Sequence, residues 1–375
     1  MTGRPALSWP QVLAWRLRRQ RLDPRGGGDP VAVVRRLCGV QAQVASAAAL
    51  AVAVRQAEPD AGALDQALAQ RRLLKTWAMR GTLHLLPPAE AGAYLSLLAA
   101  ARPWERPSWQ RAFGAGPAEL AAIADAAAEA LDGRVLSRAE LAAEIVARTG
   151  RPALRAQLES GWGALLKPLA WQGRLCQGPA AGNRVSFVRP DTWYPDWGGV
   201  PDPDQAARTV IPAYLGVYGP ATPARFDQWL TRGTSRRAQL RGWFDGLGEQ
   251  LATVEVDGEP AYALAADVEE LSATRPSAVV RLLPGFDQYL LGPGTGDAQV
   301  VDPARRPLVS RAAGWISPVV VAAGRVVGTW QLDGDTLAVR LFDQAGALPG
   351  GSLEAEAAHL GAALGRELTL AVAGA

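Results

Sequence analysis

The sequence predicts an α+β fold: three tandem winged-helix modules followed by a small C-terminal β-barrel-like domain. Three observations predict it. Short amphipathic helices followed by a hairpin pattern occur more than once along the chain. Helix caps and turn residues punctuate each copy. From about Ser277 onward the helical texture gives way to short strands at even spacing. The expected boundaries are 1–130, 131–204, 205–275 and 276–375.

In the first module Ser8 and Gln11 have capping-box spacing, and Asp29-Pro30 opens a second helix with Val33, Leu37 and Val40 on one face. After 64–74, Thr76-Trp77-Ala78-Met79 and Thr82-Leu83-His84-Leu85-Leu86 read as strands around Arg80-Gly81, and Pro87-Pro88 closes the module. In the second, Ser137 and Glu140 form a capping box, and a helix over about 154–171 ends at Gly173. Arg174-Leu175-Cys176 and Val185-Ser186-Phe187-Val188 then read as strands joined through Pro179-Ala180-Ala181-Gly182-Asn183. In the third, Thr222-Pro223 starts a helix through Phe226 and Trp229, and Ser235 caps another carrying Leu240, Trp243 and Phe244. Its hairpin is 251–256 and 261–264 around Asp257-Gly258. The last domain reads as strands 279–283, 289–291, 319–321, 325–330 and 336–341, with turns at Gly324 and Asp333-Gly334-Asp335. A helix at 353–364 and a strand at 368–372 finish it. Trp9, Trp15, Trp77, Trp162 and Trp243 are read as core residues.

Composition narrows the function. The 375 residues are 49% hydrophobic and 20% charged, ordinary for a globular protein. No signal peptide or apolar run of membrane-spanning length is read. Cys38 and Cys176 do not make a disulfide framework or zinc motif, and with His84 and His359 the only histidines a metal site is poorly supplied. No metal, cofactor or membrane partner is therefore expected, and the setting is read as cytoplasmic. Net charge is only +3, but arginines cluster. Arg16, Arg18, Arg19, Arg21 and Arg25 form one group, Arg71, Arg72, Lys75 and Arg80 a second, and Arg225, Arg232, Arg236, Arg237 and Arg241 a third. Such local excesses are the footprint of a phosphate-binding surface, although any one of them is equally a solvated helix face.

The pair Gln41 and Gln43 flanks Ala42. Residues two apart share a side of an extended segment but not of a helix. If both glutamines face one ligand, the helix from Pro30 must break near Gly39, and Ser46 is then suited to cap the next one. Alternatively one glutamine is solvent-exposed and the other caps a backbone group.

Four segments carry a resemblance. Gly39-Val40-Gln41-Ala42-Gln43, Trp77-Ala78-Met79-Arg80-Gly81-Thr82-Leu83-His84, Leu282-Leu283-Pro284-Gly285-Phe286-Asp287 and Gly324-Arg325-Val326-Val327-Gly328-Thr329-Trp330 occur in the order found in one family. Over nearly its full length the chain resembles the AlkZ/YcaQ-type winged-helix DNA glycosylases. The family's catalytic feature is Gln-x-Gln in AlkZ-like members and Gln-x-Asp in YcaQ-like ones. Gln41-Ala42-Gln43 sides with the former, although Ala42 is smaller than the apolar residue usual there. The resemblance implies a monofunctional glycosylase acting on bulky N7-alkylated purines in double-stranded DNA, interstrand crosslinks or intercalating adducts included. It also implies a role in DNA repair and antibiotic self-resistance, with the protein on the nucleoid when bound to DNA and otherwise a monomer.

Gln41 and Gln43 are then the catalytic candidates. Arg18, Arg19, Lys75, Arg80, His84, Arg236, Arg237, Arg305, Arg306 and Arg311 are the DNA-binding candidates. His84 reads either as a structural strand residue or as one near DNA, and Asp287 as a turn residue or an orienting group. Glutamine does not titrate, so the chemistry requires an activated leaving group. An N7-alkylated purine is cationic and departs neutral, which leaves the amides to orient water and stabilise the sugar cation. Lys75 and Lys167, the only lysines, carry no recognisable activating motif for Schiff-base chemistry. The competing readings are a non-catalytic winged-helix regulator and a resistance protein that binds the adduct without turnover.

Overall fold

The computed structural model describes residues 4–179, 182, 184–343 and 346–373. Helices and several sheets are mixed throughout, an α+β architecture. The chain forms two compact units. The first holds the residues up to Gln66, Ile211–Trp229 and those from Phe244 onward; the second holds Ala67–Val210 and Leu230–Trp243.

The largest sheet of the first unit has five strands in the order Val280–Leu283, Val319–Ala322, Arg325–Asp333, Thr336–Leu341 and Thr369–Ala373. All neighbours are antiparallel except the last pair. The order is open, so this sheet does not close into the expected barrel. Alternation buries Val326 and Trp330 on one side of the long strand. Leu353, Ala357 and Leu360 of the helix Ser352–Leu364 share that core with Val280, Leu282 and Val320, so a helix covers the sheet face. Gly324 sits at φ +83° in a turn where a Cβ would stand 2.6 Å from that of Leu13, so only glycine fits. Residues 289–291, expected as a strand, lie in a short helix, Gln288–Leu291. Asp287 accepts the Tyr289 amide and caps it, and so short an apolar run does not itself specify strand or helix.

The first helix, Trp9–Arg19, starts at Ser8, whose backbone N–H and hydroxyl both donate to the Gln11 side-chain oxygen at 3.0 Å, half of the expected capping box. Trp15 and Val12 pack on a smaller sheet in which Ala6–Leu7 runs parallel to Leu251–Val256, itself paired with Glu259–Leu264. Asp257 and Gly258 both adopt positive φ in that hairpin turn.

In the second unit Leu74–Trp77 pairs antiparallel with Leu83–Leu86 on one side and with Cys176–Gln177 on the other. Ser186–Val188 and Leu136–Ser137 extend the sheet. Three helices pack on it through Leu120, Leu141 and Leu169, which share a core with Trp77 and Phe187. The Ser137–Glu140 capping box forms. Three expectations fail locally. The helix over 154–171 is broken into Arg155–Glu159 and Leu166–Trp171, with Gly163 at φ +62° where a Cβ would stand 2.6 Å from the Trp77 ring. Pro88 does not close a module but opens the helix Pro88–Ala100, the position where a missing N–H costs nothing. Met79 leaves its strand for a tight turn in which Arg80 has φ +59°. Of the turn 179–183, Ala180, Ala181 and Asn183 lie outside the described residues.

Candidate active site and nucleic-acid interface

The helix Pro30–Arg36, capped by Asp29, stops one turn before the glutamines. Cys38 at φ +55° and Gly39 at φ +97° turn the chain out of the helical path into the short strand Val40–Gln41. Tyr218 holds the helix end by donating to the Leu37 carbonyl at 2.6 Å. The next helix begins at Ala45 with Val44 as its cap residue, so Ser46 lies inside its first turn and does not cap it. Gln41 is 7% exposed and Ala42 2%, while Gln43 is exposed. One amide is thus seated in packed surroundings and the other opens to solvent.

Positive charge gathers just before this segment in the sequence. Arg35 and Arg36, the last turn of the Pro30–Arg36 helix, line a cleft of about 410 Å³ together with Arg19 and Arg21. Burial, and then the like charges of Arg19 and Arg21, push the Arg36 guanidinium below its usual range. The Asp267 carboxylate, 3.4 Å from Arg19, offsets part of this repulsion. Sequence reading missed Arg35 and Arg36; their place at the end of the helix leading to Gln41 was the available signal.

The candidates elsewhere divide by environment. Arg18 is half exposed and meets Glu270 at 3.2 Å. Arg19 donates to the Gly216 carbonyl at 2.6 Å, meets Asp267 at 3.4 Å and lies over the Trp15 ring. Arg305 pairs with Asp343, whereas Arg306 and Arg311 are exposed. In the second unit Arg236 meets Glu105 at 3.1 Å and Arg237 is exposed. Lys75 is half-buried, and burial lowers its ammonium pKa. His84 is fully buried opposite Thr76, and its Nδ1–H donates to the Thr82 carbonyl at 3.0 Å. Burial, and then Arg80, lower its pKa to about 3. Asp287 is no orienting group at a surface. It is fully buried in a bidentate pair with Arg55, at 2.7 and 2.8 Å. Trp15, Trp77 and Trp243 are core residues as expected, but Trp162 is 83% exposed.

Both cysteines are buried, and they form no disulfide among the described residues. Among the described residues no group of three His, Cys, Asp or Glu side chains is placed to hold a metal ion, and no helix is long and apolar enough to cross a membrane.

Comparison with known proteins gives a consistent answer. The profile of the family described as DNA glycosylase AlkZ-like matches residues 34–369. The chain is 52% identical over 359 residues to the interstrand DNA cross-link repair glycosylase of Streptomyces sahachiroi, covering 96% of this chain and 97% of that one. The solved structure of the Streptomyces sahachiroi DNA glycosylase AlkZ superposes with a TM-score of 0.96 at 50% identity, covering 98% of this chain and all of that one.

Proposed function

The chain belongs to the AlkZ-like DNA glycosylase family, hydrolases of N-glycosyl bonds, and from that membership we propose that it excises bulky N7-alkylated purines from double-stranded DNA, interstrand crosslinks included. The observation that carries the reading is the break at Cys38 and Gly39. It takes Gln41 and Gln43 out of a helical path, in which side chains two apart diverge.

Gln41 and Gln43 are the catalytic residues of this proposal. Neither amide gains or loses a proton near neutral pH, so neither drives departure of a neutral base. An N7-alkylated purine carries a formal positive charge that departure cancels. What remains is to place water and to stabilise the sugar cation, which amide oxygens do without titrating. Gln41, seated among packed neighbours, suits a fixed electrostatic role; Gln43, open to solvent, suits holding water. Phosphates are assigned to the cleft of Arg19, Arg21, Arg35 and Arg36, and to Arg18, Lys75, Arg80, Arg236, Arg237, Arg305, Arg306 and Arg311, with His84 a buried support beneath the Arg80 turn. In this reading the helix–hairpin units are winged-helix modules cupping the duplex, the protein acts as a monomer without metal or cofactor, and it works in the cytoplasm on the nucleoid.

Substrate scope tests the proposal. Matched duplexes carrying one N7-methylguanine or one uracil are incubated with the protein, and abasic sites are revealed with hot alkali. The expected result is strand scission at N7-methylguanine and none at uracil; equal scission at both contradicts a mechanism that relies on a cationic leaving group.

A further inference from the structure

The second unit contains a cavity of about 530 Å³ of which the glycosylase reading uses only Arg80. Its walls include Trp109, Phe113, Trp162, Trp171, Arg80 and Lys167, and among the described residues no acidic side chain lines it. Trp162 is 83% exposed, so burial does not account for a tryptophan there. Lys167 is the cavity's half-buried cation. The charge acting on it is another cation, Arg232, and burial already weighs against its charged form. The chain therefore maintains several aromatic faces and an ammonium with no carboxylate among the described lining residues around one space.

We propose that this cavity binds a small planar aromatic molecule carrying an anionic group, the rings stacked against Trp162 and Trp109 and the anion on Lys167. The volume lies in the range of small-molecule sites, about 300–1,000 Å³, and such sites combine apolar walls with a few polar anchors. Aromatic walls select a flat ring system, and the lysine selects its charge. A DNA nucleotide fits less well: among the described residues no Asn, Gln, Asp or Glu lines the cavity to read a base edge. The proposal uses neither Gln41 nor Gln43, the residues to which the reaction is assigned.

The test uses 8-anilinonaphthalene-1-sulfonate, a naphthalene with one anionic group, titrated into the full chain and followed by its own fluorescence and by quenching of tryptophan. One saturable site is expected. Trp162→Ala removes an exposed ring without touching the core and is expected to weaken binding about tenfold. Lys167→Gln is expected to weaken the sulfonate probe by a similar factor while leaving the uncharged N-phenyl-1-naphthylamine unchanged. Wild-type affinity in both variants overturns the proposal. So does competitive displacement of the probe by a single-stranded oligonucleotide, which makes the cavity a nucleotide site.

Discussion

Two sets of arginines in the first unit do opposite things. Arg16, Arg25, Arg55 and Arg281 are buried or nearly so, and each meets a carboxylate: Asp297, Glu356, Asp287 and Glu356 again. Arg19, Arg21, Arg35 and Arg36 instead line one cleft, where Arg36 is crowded by its like-charged neighbours. The first set is sealed with its carboxylates inside the fold; the second gathers four guanidinium groups at an open cleft, with Asp267 3.4 Å from Arg19, and its service to an external phosphate is the proposal to be tested. Arg16 and Arg18 are two residues apart, yet one is sealed against Asp297 and the other is half exposed. Arginine clustering in a sequence therefore counts charges without saying which are spent inside.

The sharpest way to break this distinction is at the fully buried pair. Arg55→Ala or Asp287→Ala leaves an uncompensated charge in the core, and either is expected to lower stability by about 3–5 kcal/mol in chemical denaturation. A loss below about 1 kcal/mol would place Arg55 with the surface set. The same rule, that a buried charge is paired or absent, extends to His84 in the second unit. Its folded pKa of about 3 lies below the ordinary 6.5, so the unfolded chain binds the extra proton between those values. Its contribution is complete above pH about 6.5 and is lost as pH falls toward 3. Between about pH 7 and 5 the wild type is expected to lose about 2 kcal/mol more than His84→Gln in urea unfolding. Identical pH dependence would mean that the ring is charged or exposed in the fold.

Arg36→Ala probes the cleft set. Removing a crowded cation is expected to leave stability within about 0.5 kcal/mol, to weaken duplex binding roughly tenfold and to reduce the salt slope by about one. A stability loss without a change in salt slope would return Arg36 to the structural set. Arg18→Ala is expected to do least: its exposed pair with Glu270 contributes under about 1 kcal/mol.

What was legible in the sequence was local. The Ser137–Glu140 box, the Asp257-Gly258 turn and the break at Gly39 depend on residues a few positions apart, and all formed; of the Ser8–Gln11 box, the half in which Gln11 accepts from the Ser8 N–H formed. The glutamine pair was legible as a motif, and the break before it from one glycine. The helix over 154–171 was not, because its interruption answers to the ring of Trp77, which packs against Gly163 from far away in sequence. Ser46 looked like a cap because capping residues are common before helices, but Val44 already begins the turn. Arg55 was invisible for the same long-range reason: its partner lies 232 residues away, and nothing around Arg55 announces it. The exposure of Trp162 was equally hidden, since tryptophan in a helical pattern reads as core.

The central claim is that two non-titrating amides, Gln41 and Gln43, supply the catalysis. It is tested most directly by single-turnover release of N7-methylguanine from a duplex, comparing wild type with Gln41→Ala/Gln43→Ala at saturating protein. The account predicts a rate at least about a hundredfold lower in the double variant with duplex binding retained. An unchanged release rate in that variant would contradict it.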